Sequence, residues 1–476
     1  MKLFLFQWPV GERAYVDALS MFAREGHSVD YVVYSADPTL ARKHLPRAIF
    51  HSHENAYDGE PAGEFRHLAV PPSASLVRSM ASVESLVLSM MNKHFDYMSI
   101  DERKQVYFDM LGYWYAVLTE RKPDALVFSA VPHSVYDYLC YELAKLLGIR
   151  TVVFDYTLVG DRYLYMSDFR KGSDALLRSL GELKQTQVTA DMLVSDVRDY
   201  YLRAKDEHTS RVPLYVAEDK KKYSPFNVFK LRGNIAFQSF KDRSFFKKAM
   251  LFFFKVFGEN VKKEYASIIQ KPDLSEPFVY VPLNYQPECT TSPQGDIFVI
   301  QTLMLETLSE ALPEGWHLYV KEHPSQWGPR GLNYSSSRYR GYYRRIARLP
   351  NVTLVPLELK SSVLIERARA VATVSGTAAW EALLRGKLAI IFGHPWYQNA
   401  PNLMRGDSVE SCKRCFKAIS DGFKVREEDT LRFLKALELS TVPGHFQEYS
   451  KRHSSVTGEE SARDVVSVVL QALRTS

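Results

Sequence analysis

The sequence predicts an α/β protein: two Rossmann-like domains facing each other across a cleft, with a helical basic insert between them. Three observations predict it. Strand-like and helix-like segments alternate over residues 1–165. The alternation stops over 166–275 and resumes over 276–440, leaving a helical tail at 441–476. The chain is 476 residues long, 46% hydrophobic and 24% charged, which is enough for two to four domains with sizeable cores.

Taken in order, residues 2–6 read as a short buried strand and Pro9, Val10 and Gly11 as a loop. Residues 14–25 have helical spacing, with Tyr15, Leu19 and Phe22 on one face. Gly26 ends that helix, and 29–34 is a second strand. This β-α-β unit opens a doubly wound sheet. A long helix follows at 102–121, a turn at Pro123 and Asp124, a strand at 125–129, a helix at 134–147 ending at Gly148, and a strand at 151–154. Residues 272–277, between two prolines, form a linker. The second alternation has strands at 278–281, 316–320, 352–355, 370–374 and 388–392, with helices at 297–312, 339–349, 361–368 and 378–385. An amphipathic helix at 461–473 closes the chain. Two such halves imply a cleft lined by strand C-termini.

Several classes are excluded. Four cysteines (Cys140, Cys289, Cys412 and Cys415) do not make a disulfide framework. Cys412 and Cys415 form a single CxxC with no second pair, so no metal site is expected. No apolar run approaches the ~20 residues of a membrane span. The four-residue apolar start is too short for a signal peptide, so the expected location is cytoplasmic. Walker, GxGxxG, GxSxG and HExxH motifs are absent.

The net charge of +6 is uneven. Residues 219–263 hold twelve Lys or Arg against three Asp or Glu, together with ten Phe. Such a stretch can pack its Phe face on the protein, or lie peripherally on an anionic membrane surface at the inner face of the cytoplasmic membrane. With no nucleic-acid motif, no nucleic-acid partner is expected.

Four segments can carry chemistry. In Val374-Ser375-Gly376-Thr377, a buried strand ends in a small-residue turn that opens a helix. Hydroxyls, an approachable backbone and first-turn amides together make an anion site. Ser and Thr are also good N-caps that need no ligand. Glu381, one turn in, can accept hydrogen bonds from ribose hydroxyls. Lys321-Glu322-His323-Pro324 follows a strand, and Lys321 and His323 can donate to a phosphate or carboxylate, with Pro324 stiffening the loop. Residues 282–292 form a polar, proline-stiffened loop containing Gln286 and Glu288. Asp155 follows the apolar run of an N-terminal strand, so Asp155 and Glu288 can face each other across the cleft. Paired carboxylates suit glycosyl transfer, one assisting the incoming hydroxyl and one stabilising or trapping an oxocarbenium-like centre. His394, Trp396 and Tyr397 can add aromatic surface to the cleft.

These segments resemble the capsule and surface polysaccharide biosynthesis proteins, a group that includes transferases of Kdo and related 2-keto-3-deoxy sugars from CMP-activated donors. The resemblance is carried by Tyr280 through Glu288, by Tyr319 through Pro324, and by Ser375-Gly376-Thr377 through Glu381 and Ala382 with Gly386, Lys387, Phe392 and Gly393. The His-Pro pair and the Ser/Thr turn also look like nucleotide-phosphate motifs of bacterial sialyltransferases. The two-domain layout is that of GT-B glycosyltransferases. The resemblance implies a transferase moving Kdo or a nonulosonic acid, such as pseudaminic or sialic acid, from a CMP-sugar to a capsule or lipopolysaccharide acceptor. The N-terminal domain would bind that glycan or glycolipid acceptor and the C-terminal domain the nucleotide sugar. It implies that Gln286, Lys321, His323, Pro324, Ser375, Gly376, Thr377 and Glu381 bind the donor, and that Asp155, Glu288 and His323 are catalytic. No cofactor and no metal are expected beyond the donor substrate, and retention of configuration is one expected outcome. A UDP- or GDP-sugar transferase and a non-catalytic assembly or export component remain the alternatives.

Overall fold

The computed structural model describes residues 1–205, 261–327, 337–446 and 456–475. The basic aromatic stretch at 219–263 lies, up to residue 260, outside the described residues.

The first sheet has seven strands: β1 (Lys2–Phe6), β2 (Ser28–Tyr34), β3 (Ile49–Ser52), β4 (Ala125–Phe128), β5 (Arg150–Thr157), β6 (Arg162–Met166) and, late in the chain, β13 (Val442–Pro443). The second has six: β7 (Phe278–Pro282), β8 (His317–Lys321), β9 (Val352–Leu354), β10 (Ala370–Thr373), β11 (Leu388–Ile391) and β12 (Leu403–Arg405). The spatial orders are β13-β6-β5-β4-β1-β2-β3 and β12-β11-β10-β7-β8-β9. Counted within each half, both follow the doubly wound order 3-2-1-4-5-6. The second sheet is parallel throughout, and in the first only β6 runs against the rest, pairing antiparallel with β5 on one side and β13 on the other.

Alternation along the strands places each residue. In β1, Leu3 and Leu5 enter one apolar layer while Phe4 and Phe6 enter the other. In β7, Val279 and Val281 face one layer and Phe278 and Tyr280 the opposite one. One apolar cluster continues from the first sheet to the second through Tyr200, Trp380, Trp396 and Phe433, with Trp380 Nε1 donating to the Tyr200 hydroxyl at 3.0 Å. Burial on both sheet faces supplies the main stabilisation, at roughly 25 cal/mol per Å² of apolar surface.

Three features depart from the sequence expectation. The strand expected at 151–154 runs on to Thr157, because antiparallel pairing with β6 extends it (Asp155 opposite Leu164). Asp155 therefore sits within a strand rather than just past one. The tail, read as a helical segment of its own at 441–476, joins the first domain: helix Gly458–Thr475 packs against helix Arg13–Arg24, burying Val465, Val466 and Val469 in that domain's core. The Tyr15 hydroxyl and Ser461 Oγ share a hydrogen bond at 2.7 Å. Finally, β3, β6 and β12 and the helices Val409–Ser420 and Glu427–Ser440 had no counterpart in the sequence reading.

The strand C-termini of the two halves meet. Cys289 Sγ, in the loop after β7, lies 3.7 Å from the Val131 carbonyl after β4. Gln294 Nε2 of the same loop donates to Asp155 Oδ2 at 3.0 Å. This is the fold class read from the sequence: two Rossmann-like domains in the GT-B arrangement.

Candidate functional site

In a doubly wound sheet, ligands bind beyond the strand C-termini where the order reverses. In the second sheet that point lies between β7 and β10, and Asn284 spans it. Asn284 Oδ1 accepts from Thr373 Oγ1 at 2.8 Å, and its Nδ2 donates to Ser375 Oγ at 3.4 Å. The Ser375 hydroxyl donates to the Thr290 carbonyl. Gly376 precedes helix Thr377–Leu384 as its N-cap. A Cβ there would lie 2.9 Å from Thr373 Oγ1, so the tight junction calls for glycine. Thr377 is exposed at the helix start, where first-turn amides lack partners within the helix. The Tyr397 hydroxyl donates to the Gly376 carbonyl at 2.5 Å and fixes the turn from behind.

Lys321 ends β8 and is 5% exposed. Its Nζ donates to the Leu359 carbonyl and, at 3.3 Å, to Ser361 Oγ. An ammonium has three protons, so one remains for a further acceptor. Burial lowers the Lys321 pKa to about 8, so the group is still mostly charged at neutral pH. His323 Nδ1 accepts from the Ser325 amide at 3.2 Å. Burial lowers the His323 pKa, opposed by Glu322 and reinforced by Arg338 and Lys321. The imidazole is thus neutral, with its proton on Nε2 as a donor. Pro324 begins a short helical turn, Pro324–Trp327.

A buried polar frame holds both loops. Arg338 donates through Nε to Glu322 Oε2 at 2.6 Å, through Nη1 to Gln286 Oε1 at 2.6 Å, and through Nη2 to the Asn284 carbonyl at 3.1 Å. Glu322 Oε1 accepts from the His323 amide at 2.6 Å, and its Oε2 accepts from the Tyr343 hydroxyl at 2.5 Å. Gln286 is committed to this frame. Its Nε2 donates to the Val299 carbonyl at 2.7 Å, and Gln301 Nε2 donates to its Oε1 at 2.7 Å. Gln286 therefore shapes the pocket from within the frame. Glu381 is half-buried one turn into the helix. After burial, its charge is what raises the pKa of the Tyr280 and Tyr397 hydroxyls.

The two carboxylates lie around the 288–296 loop. Burial raises the Asp155 pKa to about 7, against the hydrogen bonds from Gln294 and the Tyr156 backbone. Glu288 is exposed at a turn and accepts from Thr290 Oγ1 at 2.9 Å. Asp155 and Glu288 both act on the half-buried Cys289 thiol and, after desolvation, raise its pKa. The side chain that Asp155 meets directly is Gln294. Cys412 and Cys415 are buried in the core as free thiols. Among the described residues, no group of three or more His, Cys, Asp or Glu side chains could hold a metal ion. No described helix is long and apolar enough to cross a membrane.

Sequence reasoning missed Asn284, Gln294, Arg338, Ser361 and Tyr280 as site residues. Asn284 lies in the loop singled out, and its place directly after β7 was the available signal. Arg338 carries none, because its partners lie 16 to 54 residues away.

The strand-end cation and the helix-start turn both fall within a segment that matches a known family. Residues 291–405 match the family of capsule polysaccharide biosynthesis proteins. The resemblance read from the motifs is borne out over this segment, which carries Lys321, His323, Ser375, Gly376, Thr377 and Glu381 and is well under half of the chain. Asp155, Gln286 and Glu288 lie outside it. Curated proteins give no match. Among solved structures, similar ones include a KpsC beta Kdo 2,7 transferase of Thermosulfurimonas dismutans, at 10% identity over 80% of this chain and 95% of that one, TM-score 0.32. A KpsC beta Kdo 2,4 transferase of the same organism has 13% identity over 66% and 79%, TM-score 0.30. A UDP-GlcNAc 2-epimerase of Neisseria meningitidis has 10% identity over 100% of both chains, TM-score 0.24. At these scores the likenesses carry no argument about chemistry, and the fold assignment stands on the two sheets themselves.

Proposed function

We propose that this chain is a glycosyltransferase of capsule or surface polysaccharide synthesis that moves a 2-keto-3-deoxy sugar acid, Kdo or a nonulosonic acid, from a CMP donor to a glycan or glycolipid acceptor. The observation that carries this reading is that Lys321 and His323, at the C-terminal end of β8, and the start of helix Thr377–Leu384, after β10, lie on the same edge of the second sheet, on either side of β7. That cluster offers a charged amine, a neutral imidazole N–H, a hydroxyl and helix amides. A phosphate arriving there would reinforce the charged form of Lys321 and accept from His323 Nε2. CMP leaves more readily once its phosphate charge is met in this way. Lys321, His323 and the first-turn amides can meet that charge without a metal. The capsule-family match over residues 291–405 supports the same reading.

In this reading Glu381 takes the ribose hydroxyls and Asp155 receives the proton of the attacking hydroxyl. Glu288 is the nucleophile if configuration is retained and an electrostatic stabiliser otherwise. Its exposure leaves it room to move toward a bound sugar. The composition of residues 219–263 suits an anionic membrane surface as a further partner, which liposome flotation with and without anionic lipid would test.

The functional test is a donor panel. Purified protein is incubated with CMP-Kdo, a CMP-nonulosonic acid, a UDP-sugar and a GDP-sugar, and nucleotide release is followed. Release from a CMP donor alone is expected. Release only from UDP- or GDP-sugars would reject the donor, and release from none would favour a non-catalytic role.

A further inference from the structure

Asp155 lies in the part of β5 that β6 holds in register, with Leu164 opposite. It is half-buried, and the side chain that bonds it comes from the other domain. Gln294 Nε2 donates to Asp155 Oδ2 at 3.0 Å, across 139 residues of chain. Gln294 is only 4% exposed, so this contact is shielded from water. Its amide has one workable orientation. An ionised carboxylate only accepts, so it faces the NH₂ group. The Cys289 thiol lies 3.8 Å from Gln294 Oε1, the remaining acceptor.

The backbone under Gln294 is fixed. The Thr291 and Ser292 amides donate to the Glu288 carbonyl at 3.0 and 2.8 Å, and the Gln294 amide donates to the Cys289 carbonyl at 3.3 Å. The Gln294 carbonyl accepts from the His394 amide at 2.7 Å. A Cβ on Gly295 would lie 2.5 Å from the Thr291 carbonyl oxygen and 2.9 Å from Val374 Cγ1, so the chain passes there as closely as backbone allows. The same loop meets the turn that opens helix Thr377–Leu384, because the Ser375 hydroxyl donates to the Thr290 carbonyl. Gln294 therefore stands on a rigid support built by the second domain.

The surroundings make this one contact matter. Burial opposes the charge of Asp155, and Gln294 and the Tyr156 backbone favour it. The titratable group beside it is the Cys289 thiol, which desolvation keeps protonated. The charges of Glu288, Lys93 and Asp137 also reach that thiol, and none of the three stands among the groups that shift Asp155. A carboxylate has about four acceptor sites. With Gln294 on one and the Tyr156 backbone on another, it can still take the proton of a hydroxyl.

We propose that Gln294 is the positioning residue for Asp155: it reaches across the cleft from the second domain, fixes one carboxylate oxygen and favours the ionised form that can accept a proton. That Asp155 accepts a proton in a reaction rests on the transferase reading; its contact with Gln294 does not. Gln294 acts through Asp155 and needs no contact with either substrate. The base in the first domain is thus complete only while the second domain is in place.

The test uses the full chain with 13C-labelled aspartate carboxyl groups and 15N-labelled glutamine side chains, and Asp155→Asn assigns the Asp155 signal. In the wild type, a glutamine NH₂ signal is expected to follow the Asp155 titration and to lose that dependence in Asp155→Asn. Gln294→Met keeps the length of the side chain and removes its N–H. It should raise the Asp155 titration midpoint by about one pH unit or more. With a donor that the wild type turns over, the acid limb of kcat/KM should rise by the same interval. A purely packing role for Gln294 would leave both midpoints in place. The inference is overturned if no glutamine amide follows Asp155 in the wild type, or if Gln294→Met leaves the Asp155 midpoint unchanged or lowers it. Failure of the transferase reading shows separately, as nucleotide release from no donor, and leaves the two titrations decisive.

Discussion

Arg338 Nε lies 2.6 Å from Glu322 Oε2, and the two side chains are 2% and 0% exposed. This buried pair joins the loop after β7 to the loop after β8, because the same guanidinium also holds Gln286 and the Asn284 carbonyl. Breaking such a pair from one side strands a buried charge and costs about 3–5 kcal/mol. Arg338→Met should lower the urea midpoint accordingly. The double change Arg338→Met with Glu322→Leu should recover much of the loss, since no charge is then left unpaired. An Arg338→Met protein as stable as wild type would show that the pair frames nothing.

His323 presents its Nε2 proton while the Ser325 amide occupies Nδ1. Removing that donor leaves the loop backbone intact, because the His323 amide still reaches Glu322. His323→Ala should therefore weaken CMP on the order of tenfold or more, with an unchanged melting temperature. Titration calorimetry reads the affinity. A variant that binds CMP as the wild type does would place the phosphate elsewhere.

Gly393 follows β11 where the 288–296 loop packs against the end of β10. A Cβ there would lie 2.3 Å from the Gln294 carbonyl oxygen and 3.1 Å from that of Val374. Backbone on both sides cannot yield cheaply, so Gly393→Ala should cost about 1–3 kcal/mol and shift the Gln294 side chain away from Asp155. Gly63→Ala, with nothing within 4 Å of the added methyl, is the control and should be near neutral. Thermal denaturation of the two variants checks the contrast.

Asp155 gives the pH dependence. Burial raises its pKa from the ordinary 3.8 to about 7. Between those values the folded state keeps a proton that the unfolded state has released, so stability falls as pH rises through this window. Asp155→Asn does not ionise, and its melting temperature should gain on the wild type as pH rises from about 5 to 8. If Asp155 receives the acceptor proton, activity requires its charged form. Wild-type kcat/KM should then drop about tenfold per pH unit below 7. A profile flat between pH 5 and 7 would remove Asp155 from that role.

Much of this architecture could be read directly. The alternation of β1, β2, β4, β7, β8, β10 and β11 with helices was visible because their burial on both faces makes short continuous apolar runs bounded by Gly, Pro or Asp. The strand-end motifs at Lys321 and Ser375 were visible for the same reason, since they abut such runs. Three things were not readable. The edge strands β3 and β12, and β6 beside the two-residue β13, are short and mixed in character, so periodicity does not mark them. The role of Gln286 depends on Gln301, Gln326 and Arg338, which come from three different segments. The hydrogen-bond partner of Asp155 gave no sequence signal: it is Gln294, six residues beyond Glu288, brought there because the loop turns back on itself through the Glu288 carbonyl.

The most direct measurement is a crystal structure of the protein soaked with CMP. The account predicts nucleotide density at the end of β7 and β10, with a phosphate oxygen in hydrogen-bond range of His323 Nε2 and of the amides that open helix Thr377–Leu384. A phosphate bound away from both, or crystals that stay empty at millimolar CMP, would contradict it.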